Sequence, residues 1–231
     1  MSEKLRARSK RTGEAMRVLE LFAGTQSVGK GFKRRGHQVL SLDLDPKSHP
    51  DICTDILAFD YQAFEPGAFD VVWASPPCTQ YSKARTTGPP RDLEGADKIV
   101  QRTLDIIKHL RPRCYFLENP QTGLLKTREV VRGIPYRDIT YCSYGRPFRK
   151  LTRVWTNCEA WRPRPICDGQ TCPSILNGRH LQTAQRGPGM VGGARMGNDD
   201  IKLDMLHALP PALVDEIVLA SEVPGDLPLG F

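Results

Sequence analysis

Three short stretches of this chain carry residue types that do chemistry. The first is Ser75-Pro76-Pro77-Cys78, which follows the apolar run FDVVWA (69–74). Two prolines hold the next side chain rigidly, so Cys78 is a candidate nucleophile wherever its thiolate is stabilised. The plainer alternative is a small packing cysteine. Forty residues later the apolar run CYFL (114–117) ends in Glu118. A carboxyl beside a thiol fits acid–base work on the electrophile that the thiol attacks; the alternative is a helix cap or loop acid. The third is the strand-like VLELF followed by Ala23-Gly24-Thr25 and a helical stretch. Such a turn lets a nucleotide approach the backbone at a helix N-terminus. Asp43 comes nineteen residues after Gly24, where an acid can accept hydrogen bonds from ribose hydroxyls. The pyrophosphate fingerprint G-x-G-x-x-G is absent, which argues against NAD or FAD.

These residues need a scaffold, and the pattern supplies one. Met16–Phe22, Gln38–Leu44, Phe69–Ala74 and Cys114–Leu117 read as buried strands, with Tyr136–Tyr141 and Arg153–Thr156 as further ones. Ser27–Arg35 reads as a helix closed by Gly36, and Ala96–Leu110 as an amphipathic helix after a polar loop at 79–95. Thr54-Asp55-Ile56 ends a third strand and brings a second carboxylate to the same pocket. Strands alternating with helices imply an α/β fold with a doubly wound, mostly parallel sheet. Cys78 and Glu118 then share its C-terminal edge, where ligands bind. The expected organisation is a basic tail at 1–16, a catalytic unit at 17–157, a Cys/Arg/Gly-rich segment at 158–200, and C-terminal helices at 201–231 that pack back. GPGMVGGARMG (187–197) reads as irregular and mobile.

Within the irregular segment Cys158, Cys167, Cys172 and His180 are spaced C-x8-C-x4-C-x7-H. A loop-rich stretch has little core of its own, so a structural zinc ion could organise it. Unrelated thiols and a surface histidine are the alternative. Cys53, Cys114 and Cys142 read as packing residues. Seven cysteines in 231 residues fit reduced thiols better than a disulfide framework. No apolar run nears the roughly 20 residues of a membrane span, and the basic N-terminus lacks the apolar stretch of a signal peptide. The expectation is a soluble protein inside the cell, cytoplasmic and nucleoid-associated or in a host cell if viral.

The formal charge is +7. It sits almost entirely in 144–198, where nine basic residues face two acidic ones and the rest of the chain is balanced. Eight of the nine are arginine, the side chain suited to phosphate and base-edge contacts. A DNA-facing subdomain is one reading, and a solvated face paired with carboxylates elsewhere is the other.

Taken together, the motifs resemble the DNA cytosine C5-methyltransferases. LELFAGTQSVG resembles the family's S-adenosylmethionine turn, WASPPCTQYS its Pro-Cys motif with a trailing Ser, and YFLENP its Glu-Asn-Val motif with Pro120 in place of Val. YGRPFRKLTRVWTN is similar to its arginine segment, and LPPALVDEI to the tail of its last motif. The resemblance covers about 17–157 and 201–220. It implies methyl transfer from S-adenosylmethionine to cytosine C5 through a covalent Cys78 adduct on a flipped base. It assigns Cys78, Glu118, Asn119, Arg153 and Ser82 to the reaction. It assigns Phe22, Ala23, Gly24, Thr25, Asp43, Leu44, Asp55, Ile56 and Pro76 to the cofactor. DNA contacts fall to Arg85, Arg91, Arg149, Arg162, Arg164, Arg179 and Arg186. Gln26 and Ser27 stand where the family has glycine, and the large recognition domain is reduced to 158–198. The expected state is a monomer on DNA, with a helper subunit as an open alternative for target recognition. Methylation of RNA or a free nucleotide, and DNA binding without catalysis, stay open as well.

Overall fold

In a computed structural model the described residues are 14–182 except 84, then 184, 189–191, 194–196 and 203–223. Arg186 lies outside them. A seven-stranded sheet forms the centre, in the order β3-β2-β1-β4-β5-β7-β6. Its strands are β1 (Arg17–Leu21), β2 (Gln38–Asp43), β3 (Ile52–Cys53), β4 (Val71–Ala74), β5 (Cys114–Pro120), β6 (Tyr136–Thr140) and β7 (Leu151–Thr156). The first five run parallel, while β7 is antiparallel to both its neighbours. This is the doubly wound sheet expected from the alternation of strands and helices.

Both faces are covered, which explains why the central strands read as unbroken apolar runs. Alternate residues go to opposite sides. Val18, Val71, Trp73, Phe116 and Val154 pack on one side with Phe32 of α1 (Ser27–Arg34) and Leu213 and Ile217 of α4 (Pro211–Glu222). Leu19, Leu21, Val72 and Ala74 pack on the other with Ile106, Ile107 and Leu110 of α2 (Leu93–Leu110). The helix α2 starts three residues before the apolar period does, because the Asp92 side chain accepts from the Gly95 N–H and caps it. Between Met205 and Pro211 the C-terminal helical stretch breaks at Pro210-Pro211, giving a short α3 (Leu203–His207) and then α4. No helix among the described residues is long and apolar enough to cross a membrane.

The C-terminal helix sets a steric limit on α1. A Cβ on Gly31 would collide with the Val214 side chain, and one on Gly29 would collide with the Glu20 carboxyl. Glu20 itself is buried in β1 and takes backbone N–H bonds from Val28 and Gly29 at the start of α1. Burial outweighs those bonds and pushes its pKa up to about 7. Past residue 158 two small hairpins appear, β8 (Ile175–Leu176) with β9 (Arg179–His180), and β10 (Gly189–Val191) with β11 (Ala194–Met196). The glycine-rich 187–197 stretch is thus an antiparallel pair in part, rather than wholly irregular.

A raised carboxyl pKa binds protons in the folded state that the unfolded state has already lost. Stability contributed at Glu20 is therefore lost as pH rises from the ordinary glutamate value through about 7. Glu20→Gln is expected to flatten that fall, by on the order of 1–3 kcal/mol, in thermal melts followed from pH 4.5 to 8.

Candidate active site

The parallel strands β4 and β5 pair in register from Val71↔Cys114 to Ala74↔Leu117. The extension of β4, Ser75-Pro76-Pro77-Cys78, and the last residues of β5, Glu118-Asn119-Pro120, therefore run on side by side. Asn119 ties them: its Nδ2 donates to the Pro76 carbonyl at 2.9 Å from a fully buried position. Cys78 is half-buried beyond the second proline, and its carbonyl accepts from the Tyr81 and Ser82 N–H groups at 3.0 and 2.8 Å. Tyr81 anchors this turn. Its hydroxyl donates to Asp97 of α2 at 2.8 Å, and Arg128 grips the same carboxylate through Nε and Nη2 at 2.9 and 2.6 Å.

Glu118 is buried, and its Oε1 has no hydrogen-bond partner among the described residues. Burial raises its pKa, against smaller downward pulls from Lys150 and from the Ser75 hydroxyl. Burial in that setting favours the neutral carboxyl over the charged one. The Cys78 thiol is raised too, first by burial and then by the nearby Glu118 charge, while Lys150 pulls it down. A neutral Glu118 removes its own upward push on the thiol, so that burial is then opposed by Lys150. Lys150 was visible in the sequence only as one of nine basic residues. Burial opposes its charge, yet Tyr141, Glu118 and Cys78 more than offset this and raise its pKa. Its ammonium sits 4.6 Å from the Tyr141 ring centre and donates to the Leu206 carbonyl at 3.1 Å.

Arg153 does not join this cluster. In the β5–β7 pairing Glu118 stands opposite Val154, while Arg153 stands opposite Asn119, so Arg153 projects from the other face. There it binds Asp138 through Nε and Nη2 at 2.7 and 2.8 Å and stacks 3.5 Å from the Tyr136 ring centre. It lines a cavity of about 720 Å³ with Trp155 and Arg137, away from Cys78. Even-numbered residues of β7 and its lead-in share the face of Glu118, which is how Lys150 arrives as the cation.

A second cavity, of about 1030 Å³, opens at the β1–α1 turn. It is lined by Gly24, Thr25, Asp43, the 45–49 loop and residues 205–211. Phe22 and Gln26 both hold left-handed backbone, with φ of 59° and 53°, and Gly24 has φ 46°. Such angles in residues other than glycine mark a tightly specified turn. The Asp43 carboxylate accepts from the Gly24 N–H at 2.8 Å and from the Asp45 N–H at 2.8 Å. Gln26 was unexpected at its position, and its side chain explains it: Nε2 donates to the Ser48 and His49 carbonyls at 2.6 and 3.0 Å, locking the two walls together. Leu44 is 67% exposed beside Asp43, an apolar surface without cover. Asp55 is exposed and accepts from the Leu57 N–H, whereas Ala23, Ile56 and Pro76 are buried. The strand β3 ends just before Thr54-Asp55-Ile56, close to where it was expected.

Comparison with known proteins shows the family of the chain. The family described as C-5 cytosine-specific DNA methylase matches residues 16–132. Over 224 residues the chain is 34% identical to the "Probable DNA (cytosine-5)-methyltransferase" of Frog virus 3 (isolate Goorha), covering 88% of this chain and 99% of the viral one. The chain belongs to the C-5 cytosine-specific DNA methylases. A bacterial relative, the "Type II methyltransferase M.AgeI" of Thalassovita gelatinovora, is 28% identical over 127 residues, 48% of this chain and 29% of that protein. In fold, this methylase is similar to the Entamoeba histolytica methyltransferase EhMeth, with a TM-score of 0.50 at 16% identity over 62% of this chain and 53% of that one. It spans about half the length of that solved structure.

Several arginines of the methylase are committed internally. Arg85 donates to Gln80 Oε1 and the Pro89 carbonyl, and Arg91 to the Gln80 and Arg85 carbonyls, so both brace the loop after Cys78. Arg164 pairs with Glu216 of α4 at 2.7 Å, and Arg162 caps the Glu159 carbonyl. Arg149 and Arg179 are exposed. The cysteine set also needs correction. Cys158 lies in the core under α4, its thiol beside Cys114 and the Ala220 carbonyl. The group that converges is Cys142, Cys167, Cys172 and His180. The reason is topological: β7 runs back along β6, so Cys158 lies beyond the opposite end of the pair from Cys142.

The electrostatics at Cys78 can be read by alkylation. Lys150→Met removes the cation that lowers the thiol pKa. Cys78 modification by iodoacetamide, mapped by mass spectrometry, is then expected to be severalfold slower at pH 8, with its rise displaced to higher pH.

Proposed function

We propose that this chain transfers the methyl group of S-adenosylmethionine to C5 of cytosine in DNA. The observation that carries the reading is the junction of Cys78 and buried Glu118 at adjacent strand ends, with the Lys150 charge acting on both. Cytosine C5 is a weak nucleophile, and adding the Cys78 thiolate to C6 makes the ring an enamine that attacks an electrophilic methyl group. Glu118, holding its proton, hydrogen-bonds N3 through a carboxyl with an unused buried oxygen and offsets the negative charge that develops on the ring. Solvent water or hydroxide then takes the C5 proton, the C5–H electron pair re-forms the C5–C6 double bond as the C6–S bond breaks, and the thiolate of Cys78 returns. Asn119 is a positioning residue, holding the Pro76 backbone and hence the approach to Cys78. Lys150 stabilises the thiolate. Arg153, bound to Asp138, shapes the neighbouring cavity on the other face.

The residues at the β1–α1 turn suit the cofactor. Asp43 offers a carboxylate for ribose hydroxyls, Leu44 an exposed apolar surface for adenine, and the Gly24 turn an open backbone. S-adenosylmethionine, when bound, supplies the methyl group on its sulfonium. The target base in a duplex is reached only by extrusion from the stack. The loop after Cys78, braced by Arg85 and Arg91, closes over it and excludes water. Exposed Arg149 and Arg179 lie in the basic segment and meet the phosphate backbone.

The decisive assay incubates the protein with labelled S-adenosylmethionine and DNA, RNA or free nucleotides, followed by nucleoside analysis. The expected product is 5-methylcytosine in DNA; label appearing only in RNA or nucleotide would redirect the substrate assignment. DNA carrying 5-fluorocytosine is expected to trap a covalent adduct that Cys78→Ser abolishes, and an undiminished adduct in that variant would sink the nucleophile assignment. Glu118→Gln is expected to lower turnover about 10²–10³-fold, with cofactor affinity little changed.

A further inference from the structure

Away from the methyl-transfer site, four side chains converge on one point. The ligand atoms of Cys142, Cys167, Cys172 and His180 all lie within 4.8 Å of one another. Cys167 Sγ stands 3.5 Å from His180 Nε2, the edge of about 3.5 Å that a tetrahedral zinc with ordinary Zn–S and Zn–N lengths imposes. We propose that this cluster is a structural Cys₃His zinc site. Three thiolates and an imidazole fill a tetrahedral shell and leave no open position, so the ion organises structure rather than activating water.

The surrounding backbone is arranged for ligation. Cys142 sits in the turn that follows β6. The chain returns along that edge through the Ser143 hydroxyl donating to the Pro165 carbonyl and the Cys167 N–H donating to Thr140 Oγ1, at 2.9 Å each, and so brings Cys167 to Cys142. The Gly169 N–H donates to Cys167 Sγ at 3.4 Å, a contact that favours a thiolate. Asn177-Gly178, with φ of 52° and 75°, makes the two-residue turn of the β8–β9 hairpin that presents His180. Ile166 and Leu176 are exposed, so the segment has little core to hold it in place.

The site also reaches the chemistry. The segment that supplies three of the ligands holds the lead-in to β7. The Ser174 hydroxyl donates to the Arg146 carbonyl at 3.1 Å, and the Gln182 N–H to the Pro147 carbonyl at 3.0 Å. Lys150 follows three residues after Pro147. A metal at the cluster therefore fixes the path that delivers Lys150 toward Glu118 and Cys78.

The inference stands apart from the methyl-transfer reading, because metal content is measured without any activity. The full chain, purified without chelator, is assayed by elemental analysis, with and without added zinc followed by gel filtration. One zinc ion per chain is expected, lost in Cys142→Ser and Cys172→Ser and kept in Cys53→Ser and Cys158→Ser. His180→Cys is expected to keep the ion and the far-ultraviolet circular dichroism of the wild type, which guards against loss through misfolding. Cobalt substitution is expected to give the intense visible bands of a tetrahedral thiolate site, diminished in Cys142→Ser. The idea is overturned by wild type that retains no stoichiometric metal, by a Cys142–Cys167 disulfide in the intact mass, or by equal metal content in Cys142→Ser and wild type.

Discussion

The site depends on keeping one carboxyl out of water. Glu118 closes a strand that is covered on both sides, and in that setting its neutral form is favoured. In water the same group would be ionised at neutral pH, and its charge would raise the Cys78 thiol further. Dryness thus bears on two groups at once, the Glu118 carboxyl and the Cys78 thiol. The apolar runs of β4 and β5 create it, and the Asn119 amide bound to the Pro76 carbonyl keeps the two strand ends together so that it acts where it is needed.

The reversed strand is the second organising element. Because β7 runs against its neighbours, the connection from β6 re-enters the sheet at its ligand-binding edge. One stretch of chain then serves two places: its beginning carries Cys142 to the cysteine–histidine cluster and its end carries the Lys150 charge toward Glu118 and Cys78. The excess charge of 144–198 is correspondingly divided. Lys150 and Arg153 are engaged with internal partners and exposed Arg164 is paired with Glu216, while Arg149 and Arg179 face outward. A charge excess located by sequence is therefore an upper limit on what DNA can meet.

Much of this was legible in the sequence. Runs of Val, Leu and Trp ending in Pro-Pro-Cys and Glu-Asn-Pro announce neighbouring parallel strands, and the sheet is built that way. Strand pairing across an antiparallel edge was not legible. Arg153 is an obvious arginine before an apolar strand, but its face follows from which residue of β5 it opposes, and that register puts it with Asp138. The cysteine set failed for the same reason. Cys158 and Cys167 are near in sequence, yet a strand length separates Cys158 from the cluster, while Cys142, apparently a packing residue, turns the corner into it. Spacing alone carries no information about which way the chain runs. Side chains that bridge loops were equally hidden, as with Asp97 gripped by Arg128 and Tyr81.

The turn between β1 and α1 has a consequence beyond this chain. Phe22 and Gln26 adopt backbone angles that glycine takes most easily, and Gln26 uses its long amide to fasten the opposite wall of the cavity. In this chain a left-handed turn is built with Phe22 and Gln26 at positions that glycine would take without strain. A search that recognises nucleotide turns by counting glycines will pass over chains of this kind. Handedness of the backbone, with a bridging amide in place of a missing glycine, is the better key for finding them.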